Sequence, residues 1–287
     1  MSNGGIIGPE NIPANTKNVT SITSTTPGGH TFHPATTKVD YIVVAGGGGK
    51  NPPGIGNSGT GAGGLITSGD VGSFSQPVTG GGTTGAITIG AAGGGGSPGS
   101  STTVAAGGGF GPYTAGGGGK GVSRGSGGTS RPLGSGSGGG DGYPSNTTSG
   151  GSGGPQGNNG GPGGPGEPSG GGGGYGGAGG APGGHPAYGP GPGYTTSIAD
   201  SGTTTLMYAA GGNGEGAPGD ASFGNNPHWP GGSAAGTGRA NSGMGTLYND
   251  ASAGIVVINE NGNTSFIASG VWSLQSQFEL ITDGNWS

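Results

Sequence analysis

The sequence predicts a mainly β and irregular chain. Its body is expected to alternate short β-strands with glycine tracts in polyglycine-II-like left-handed helices; one short helix is expected at the C-terminal end, and no conventional large core. Three observations predict this. Glycine supplies 86 of the 287 residues and proline another 22, which excludes long helices, since an interior glycine costs about 1 kcal/mol against alanine. Isoleucine, leucine, valine and phenylalanine together number 37 of 287, well under the roughly 20 % below which globular domains are rare. A layered apolar core is therefore excluded for most of the length. The third observation is that the few apolar residues gather into short β-forming runs that hand over to glycines.

Composition divides the chain into an arm at 1–37, a glycine-rich body at 38–259 and a tail at 260–287. The arm is rich in Thr, Asn and Pro and holds one short cluster, Gly4-Gly5-Ile6-Ile7-Gly8-Pro9. In the body, Tyr41-Ile42-Val43-Val44-Ala45 leads into Gly46–Gly49, and Ile87-Thr88-Ile89-Gly90-Ala91-Ala92 into Gly93–Gly96. Thr102-Thr103-Val104-Ala105-Ala106 leads into Gly107–Gly109, and Leu206-Met207-Tyr208-Ala209-Ala210 into Gly211-Gly212. A fifth run, Ile255-Val256-Val257-Ile258, closes the body. β-branched and aromatic side chains suit extended strands, and glycine suits close backbone approach.

Collagen demands glycine at every third position. That phase holds from Gly151 through Gly166 and breaks at Ser169, while Gly46–Gly49 ignores it. Polyglycine helices have the same left-handed threefold form, and without side chains they can pack at about the 4.8 Å spacing of neighbouring strands. Amide and Cα hydrogens then bond neighbours in several directions. Such a lattice outweighs the ordering entropy of glycine only if nearly every peptide group is paired. The alternative is a disordered Gly/Ser/Pro tract.

The net charge of −5 comes from seven basic and twelve acidic residues. Seven cations make no dense stripe for a polyanion, and Arg124, Arg131 and Arg239 form no Arg-Gly-Gly boxes, so no nucleic-acid partner is expected. The absence of cysteine excludes disulfides and thiolate metal clusters. No run approaches the roughly 18 apolar residues of a membrane span, and the N-terminus lacks a basic-then-apolar signal.

Glycine abundance manufactures phosphate-loop matches. A three-glycine pattern arises by chance at roughly 3 % of positions, about seven or eight times in this length. The best-placed match follows Tyr41–Val44, but Lys50-Asn51-Pro52-Pro53-Gly54 cannot open a helix there. Gly49-Lys50 and Gly119-Lys120 lack the Ser or Thr of a Walker loop. His30 and His33 have metal-chelating spacing but no carboxylate or cysteine close in sequence, and are expected as exposed arm residues. Twelve scattered carboxylates nominate no catalytic pair. No enzyme, metal or cofactor is expected. His228 and Trp229, within Asn226-Pro227-His228-Trp229-Pro230, form a candidate surface-contact loop or a local clasp over glycine backbone. Tyr113, Tyr143, Tyr175, Tyr188 and Tyr194 invite the same two readings.

In the tail, Val271, Leu274, Phe278 and Ile281 are spaced 3, 4 and 3 apart, one face of a helix of about three turns. Asp283-Gly284 would stop it, leaving Trp286 to fold back. So short a helix is marginal in water and should dock, on the body's strands or on another protein.

These pieces resemble the glycine-rich domain of tail-fibre and appendage proteins of tailed, marine bacteriophages. The resemblance runs from Val39-Asp40-Tyr41-Ile42-Val43-Val44-Ala45-Gly46 through Gly61-Ala62-Gly63-Gly64 and Ile87–Gly94 to Gly254-Ile255-Val256-Val257-Ile258. At the ends, Gly4-Gly5-Ile6-Ile7-Gly8-Pro9 and Gly270-Val271-Trp272-Ser273-Leu274, with Phe278-Glu279 and Gly284-Asn285-Trp286, resemble paired terminal motifs of phage virion proteins. The chain departs from the pattern at Asp283 and Ser287, and its middle β segments lack the usual aromatic. The resemblance implies a structural protein of the virion, assembled in the host cytoplasm. Virion attachment would run through Ile6, Ile7, Pro9, Val271, Trp272, Leu274, Phe278 and Trp286. The implied partners are other tail, neck or capsid proteins, a host-surface receptor, and further copies of the chain, as in trimeric fibres. A capsid decoration or head fibre is the alternative within the virion; a non-viral ice-binding protein is the alternative outside it.

Overall fold

The computed structural model describes residues 19–49, 58–69, 75–122, 136–142, 150–164, 169–180, 189–200, 205–214, 240–246 and 251–260. Within them the chain is mainly β, with a single turn of 3₁₀ helix at Ile198–Asp200 and no α-helix. The ten strands are β1 (Val19–Ile22), β2 (Lys38–Val44), β3 (Leu65–Thr67), β4 (Gln76–Pro77), β5 (Ile87–Thr88), β6 (Thr102–Val104), β7 (Tyr113–Ala115), β8 (Tyr194–Thr196), β9 (Leu206–Tyr208) and β10 (Ile255–Asn259). β2, β5, β6, β9 and β10 fall on the five runs of β-formers anticipated from sequence. All pairings are antiparallel.

The central sheet has the order β1-β10-β2-β3, with β4 paired to the start of β2. Its first strand comes from residues 1–37, so that part of the chain enters the same sheet as the closing strand. β2 and β10 are apolar on both faces, as strands covered on both sides must be. Alternation sends Val39, Tyr41, Val43, Val256 and Ile258 to one face, where they pack with Phe32, Ile87, Val104, Phe110 and Ala115 on and around the three-stranded sheet β5-β6-β7. Ile42, Val44, Ile255 and Val257 take the other face, against Ile198, Tyr208 and Ala209 at the β8-β9 hairpin. The result is three thin β layers. An aromatic cluster fills the first interface: Tyr41 stacks on Tyr113 at 4.8 Å and meets Phe110 edge-on at 5.0 Å. The apolar core is confined to this small sandwich.

β2, β3 and β10 of the central sheet, with strands of both outer layers, open onto glycine tracts at the same end. Ile255, Val44 and Leu65 are paired across the central sheet, and 251–254, 46–49 and 58–64 continue from them. Thr102 pairs with Ala115, and Tyr194 with Tyr208, so 97–100, 116–122, 189–193 and 209–214 leave the outer layers at that end too.

The tracts bond one another with a period of three. From 45–49, Ala45 and Gly48 donate to Gly64 and Gly61, Gly46 and Gly49 to Ser100 and Ser97, and Gly47 to Ser252. From 58–64, Ser58, Gly61 and Gly64 donate to Val122, Gly119 and Gly116; Gly59 and Ala62 donate to Gly170 and Gly173; Thr60 and Gly63 donate to Thr246 and Gly243. Every third residue thus reaches the same neighbour. These bonds lie within one chain. The tracts approach so closely that a Cβ on Gly48, Gly117, Gly138 or Gly172 would run into a neighbouring carbonyl. Most described glycines with positive φ lie in or beside turns, such as Gly108 and Gly109 before the tight bridge at Phe110; Gly111 and Gly243 do not.

Candidate functional site

The glycines after β2 have the sequence appearance of a phosphate loop, but their amides are committed. Gly46, Gly47, Gly48 and Gly49 donate to Ser100, Ser252, Gly61 and Ser97 at 2.8–3.1 Å. A phosphate would need those same N–H groups, so the tract is interior backbone. Where a tract residue carries a side chain, a polar group substitutes for the missing backbone pairing. The Thr60 hydroxyl accepts from the Thr246 amide at 2.7 Å, and Ser58 accepts from Val122 at 2.7 Å. Gln156 accepts from Gly116 at 3.0 Å and donates to the Thr114 carbonyl at 2.9 Å. The Asn158 amide donates to Gly174 and Tyr175 at 2.9 and 2.8 Å.

Strand register gives the body two ends. At the end remote from the tracts, Val19 pairs with Asn259, and Asn259 pairs with Asp40. The described residues that adjoin 1–18 and 261–287 therefore lie side by side. At the opposite end lie the last residues of the tracts. Val122 sits against Ser58, Gly170 against Asp141, Gly189 against Gly180 and Thr246 against Thr60. From this end the sequence continues into 50–57, 123–135, 143–149, 165–168, 181–188, 215–239 and 247–250.

The end where β1 begins and β10 stops also holds a buried carboxylate that the sequence did not single out. Glu260 follows β10 directly and is fully buried. Its Oε1 bonds His30 Nε2 at 2.9 Å. Its Oε2 accepts from the His33 amide at 2.9 Å and from the Thr36 hydroxyl at 2.6 Å. Burial acts to raise the carboxyl's pKa, but the bonds from His30, Thr36 and the His33 amide, with the His30 charge, hold it below the ordinary value. The expectation of exposed arm histidines is thereby corrected: His30 and His33 are half-buried in the 29–37 turn, and the His30 ring meets Phe32 edge-on at 5.3 Å. A sequence separation of 230 residues hid this pairing; the one clue was a lone glutamate closing an apolar strand.

Tyr113 belongs to the aromatic core, and Tyr175 packs edge-on against Tyr194 at 5.8 Å, so these three tyrosines cover the body itself. Ile6, Ile7, Pro9, Val271, Trp272, Leu274, Phe278 and Trp286, the anticipated tail helix, and the His228-Trp229 loop lie outside the described residues. Among the described residues no three His, Cys, Asp or Glu groups come together as a metal site, and no helix is long and apolar enough to cross a membrane. No protein-family profile matches the chain, and no curated protein matches it.

Proposed function

We propose that this chain is a structural protein of a tailed-phage virion, a tail-fibre or appendage component that holds the particle by one end and meets the host surface with the other. The supporting observation is the two-ended body. Both terminal segments, which carry the phage-like motifs, join it at one end, and the segments between tracts join it at the other. Those inter-tract segments contain Arg124, Tyr143, Tyr188, His228, Trp229 and Arg239, residue types suited to contact. The tracts act as polyglycine-II-like left-handed helices, a reading favoured by their three-residue bonding period and by the rarity of positive φ outside turns. Packed without side chains, they form a stiff spacer. A trimer would assemble through the terminal segments, where the helix over 271–281 docks on another virion protein.

The test is made on particles. Deleting 261–287 should remove the protein from virions while the purified deletion protein stays folded; normal incorporation would end the attachment reading. Purified full-length protein should block adsorption to host cells, and Trp229→Ala should weaken that block by about 30-fold, as a hot-spot aromatic does. Incorporation without any block would favour a capsid decoration.

A further inference from the structure

We propose that the Glu260 carboxylate is an acid-released latch, fastening the end of β10 to the 29–37 turn so that protonation of this one group frees both. The latch stands on geometry and is independent of what the terminal segments bind. A fully buried carboxylate closes the last strand of the sheet. Three donors converge on it from a single turn: His30 Nε2, the His33 amide and the Thr36 hydroxyl. The turn is itself fixed on the far side, where the His30 amide donates to the Thr84 hydroxyl at 2.9 Å and the Phe32 amide to the Gly82 carbonyl at 2.9 Å. The carboxylate is thus a side-chain tie between the turn and the end of β10.

Protonation changes the chemistry of that tie. An ionised carboxylate is acceptor-only and can satisfy all three donors. A protonated one carries an O–H that neither the His33 amide nor a protonated His30 can accept; only the Thr36 hydroxyl can, by giving up its own donation, and the charge-assisted bonds are lost in either case. Other titratable groups near the site act on it less directly. His33 bonds it through the backbone, and its ring Nδ1 accepts from the Ala35 amide at 3.2 Å. Lys38 is exposed at the start of β2. Asp40 pairs with Asn259, and strand alternation puts both on the face away from Glu260. Tyr41, opposite Ile258, is occupied with Tyr113. β1 contributes no titratable group.

The direction follows from linkage. The folded state holds the glutamate's pKa below its ordinary value of about 4.3. The latch therefore contributes fully above that value and weakens as pH falls through the lower, folded-state value. Amide hydrogen exchange on the full-length protein tests this, read at His33 and Thr36 with Ile42 in β2 as internal reference. Corrected for intrinsic rates, protection at His33 and Thr36 should fall as pH drops below the ordinary carboxyl value, by up to about tenfold per pH unit, the limit for one proton, and level off once the folded-state pKa is passed, while Ile42 keeps its protection. Glu260→Gln should leave those amides weakly protected and independent of pH between 7 and 3. Thr36→Ala removes one donor and keeps the carboxylate, so its opening should occur at higher pH than in the wild type. Protection at His33 and Thr36 that stays constant on acidification until Ile42 loses its own, or an unchanged pH profile in either variant, would overturn the latch.

Discussion

The sandwich and the glycine tracts solve the same problem by opposite means. In the sandwich, side chains do the work: Ile42, Val43, Phe110 and Val257 are buried between sheets, and the burial of apolar area opposes the entropy of ordering. In the tracts there are almost no side chains, and backbone packs on backbone at hydrogen-bonding distance in three directions. A side-chain core tolerates substitutions that conserve volume. A backbone lattice has no rotamers to adjust, so it accepts a Cβ only where the neighbouring tracts leave room for one, as they do at the buried Thr60 and Ala62.

That contrast is sharpest for alanine at an interior tract position. Gly172→Ala puts a Cβ against the Thr60 carbonyl, and neither side can yield without separating two tracts. It should cost more than about 5 kcal/mol or prevent folding, measured by denaturant unfolding. Gly94→Ala has nothing within 4 Å and should change stability by less than about 0.5 kcal/mol; equal effects from the two would break the lattice account. In the sandwich, Phe110→Ala should cost about 3–5 kcal/mol while the fold survives. Thr60→Val keeps the shape but leaves the Thr246 amide without its hydroxyl acceptor, a loss of about 1–3 kcal/mol.

The smallest effect concerns pH. Burial first, and then the neighbouring Tyr113, push the Tyr41 phenol's pKa up. In the unfolded chain that phenol ionises near pH 10, so stability should decline as pH rises above 10, where the unfolded state releases a proton that the folded state keeps. Tyr41→Phe should flatten that alkaline decline in a series of thermal melts.

Five of the strands were legible in the sequence because β-branched runs with abrupt glycine ends leave few other options. β1 was not: Val19-Thr20-Ser21-Ile22 sits in a Thr-rich arm, and it is a strand because Asn259 to Val256 offer it a ladder. The aromatics divided similarly. Tyr113 invited a surface reading as readily as a core one, and only the return of β7 beside β2's sheet set it against Tyr41 and Phe110. Of the candidate site, the terminal motifs and the His228-Trp229 loop could be named from sequence. That the described residues adjoining those segments lie at opposite ends of the body could not, because strand register is a relation between segments some 200 residues apart.

By itself, the sequence determined that side chains could not hold most of this protein together and that any order in the tracts had to come from paired peptide groups. Composition is sufficient for that, since burial and hydrogen-bonding capacity are sums over residues. Only the tertiary structure decided which tract bonds which and that Glu260 meets His30. Those outcomes depend on the antiparallel register of β1, β2 and β10, and glycine tracts, which are nearly identical to one another, carry no pattern from which a partner could be read.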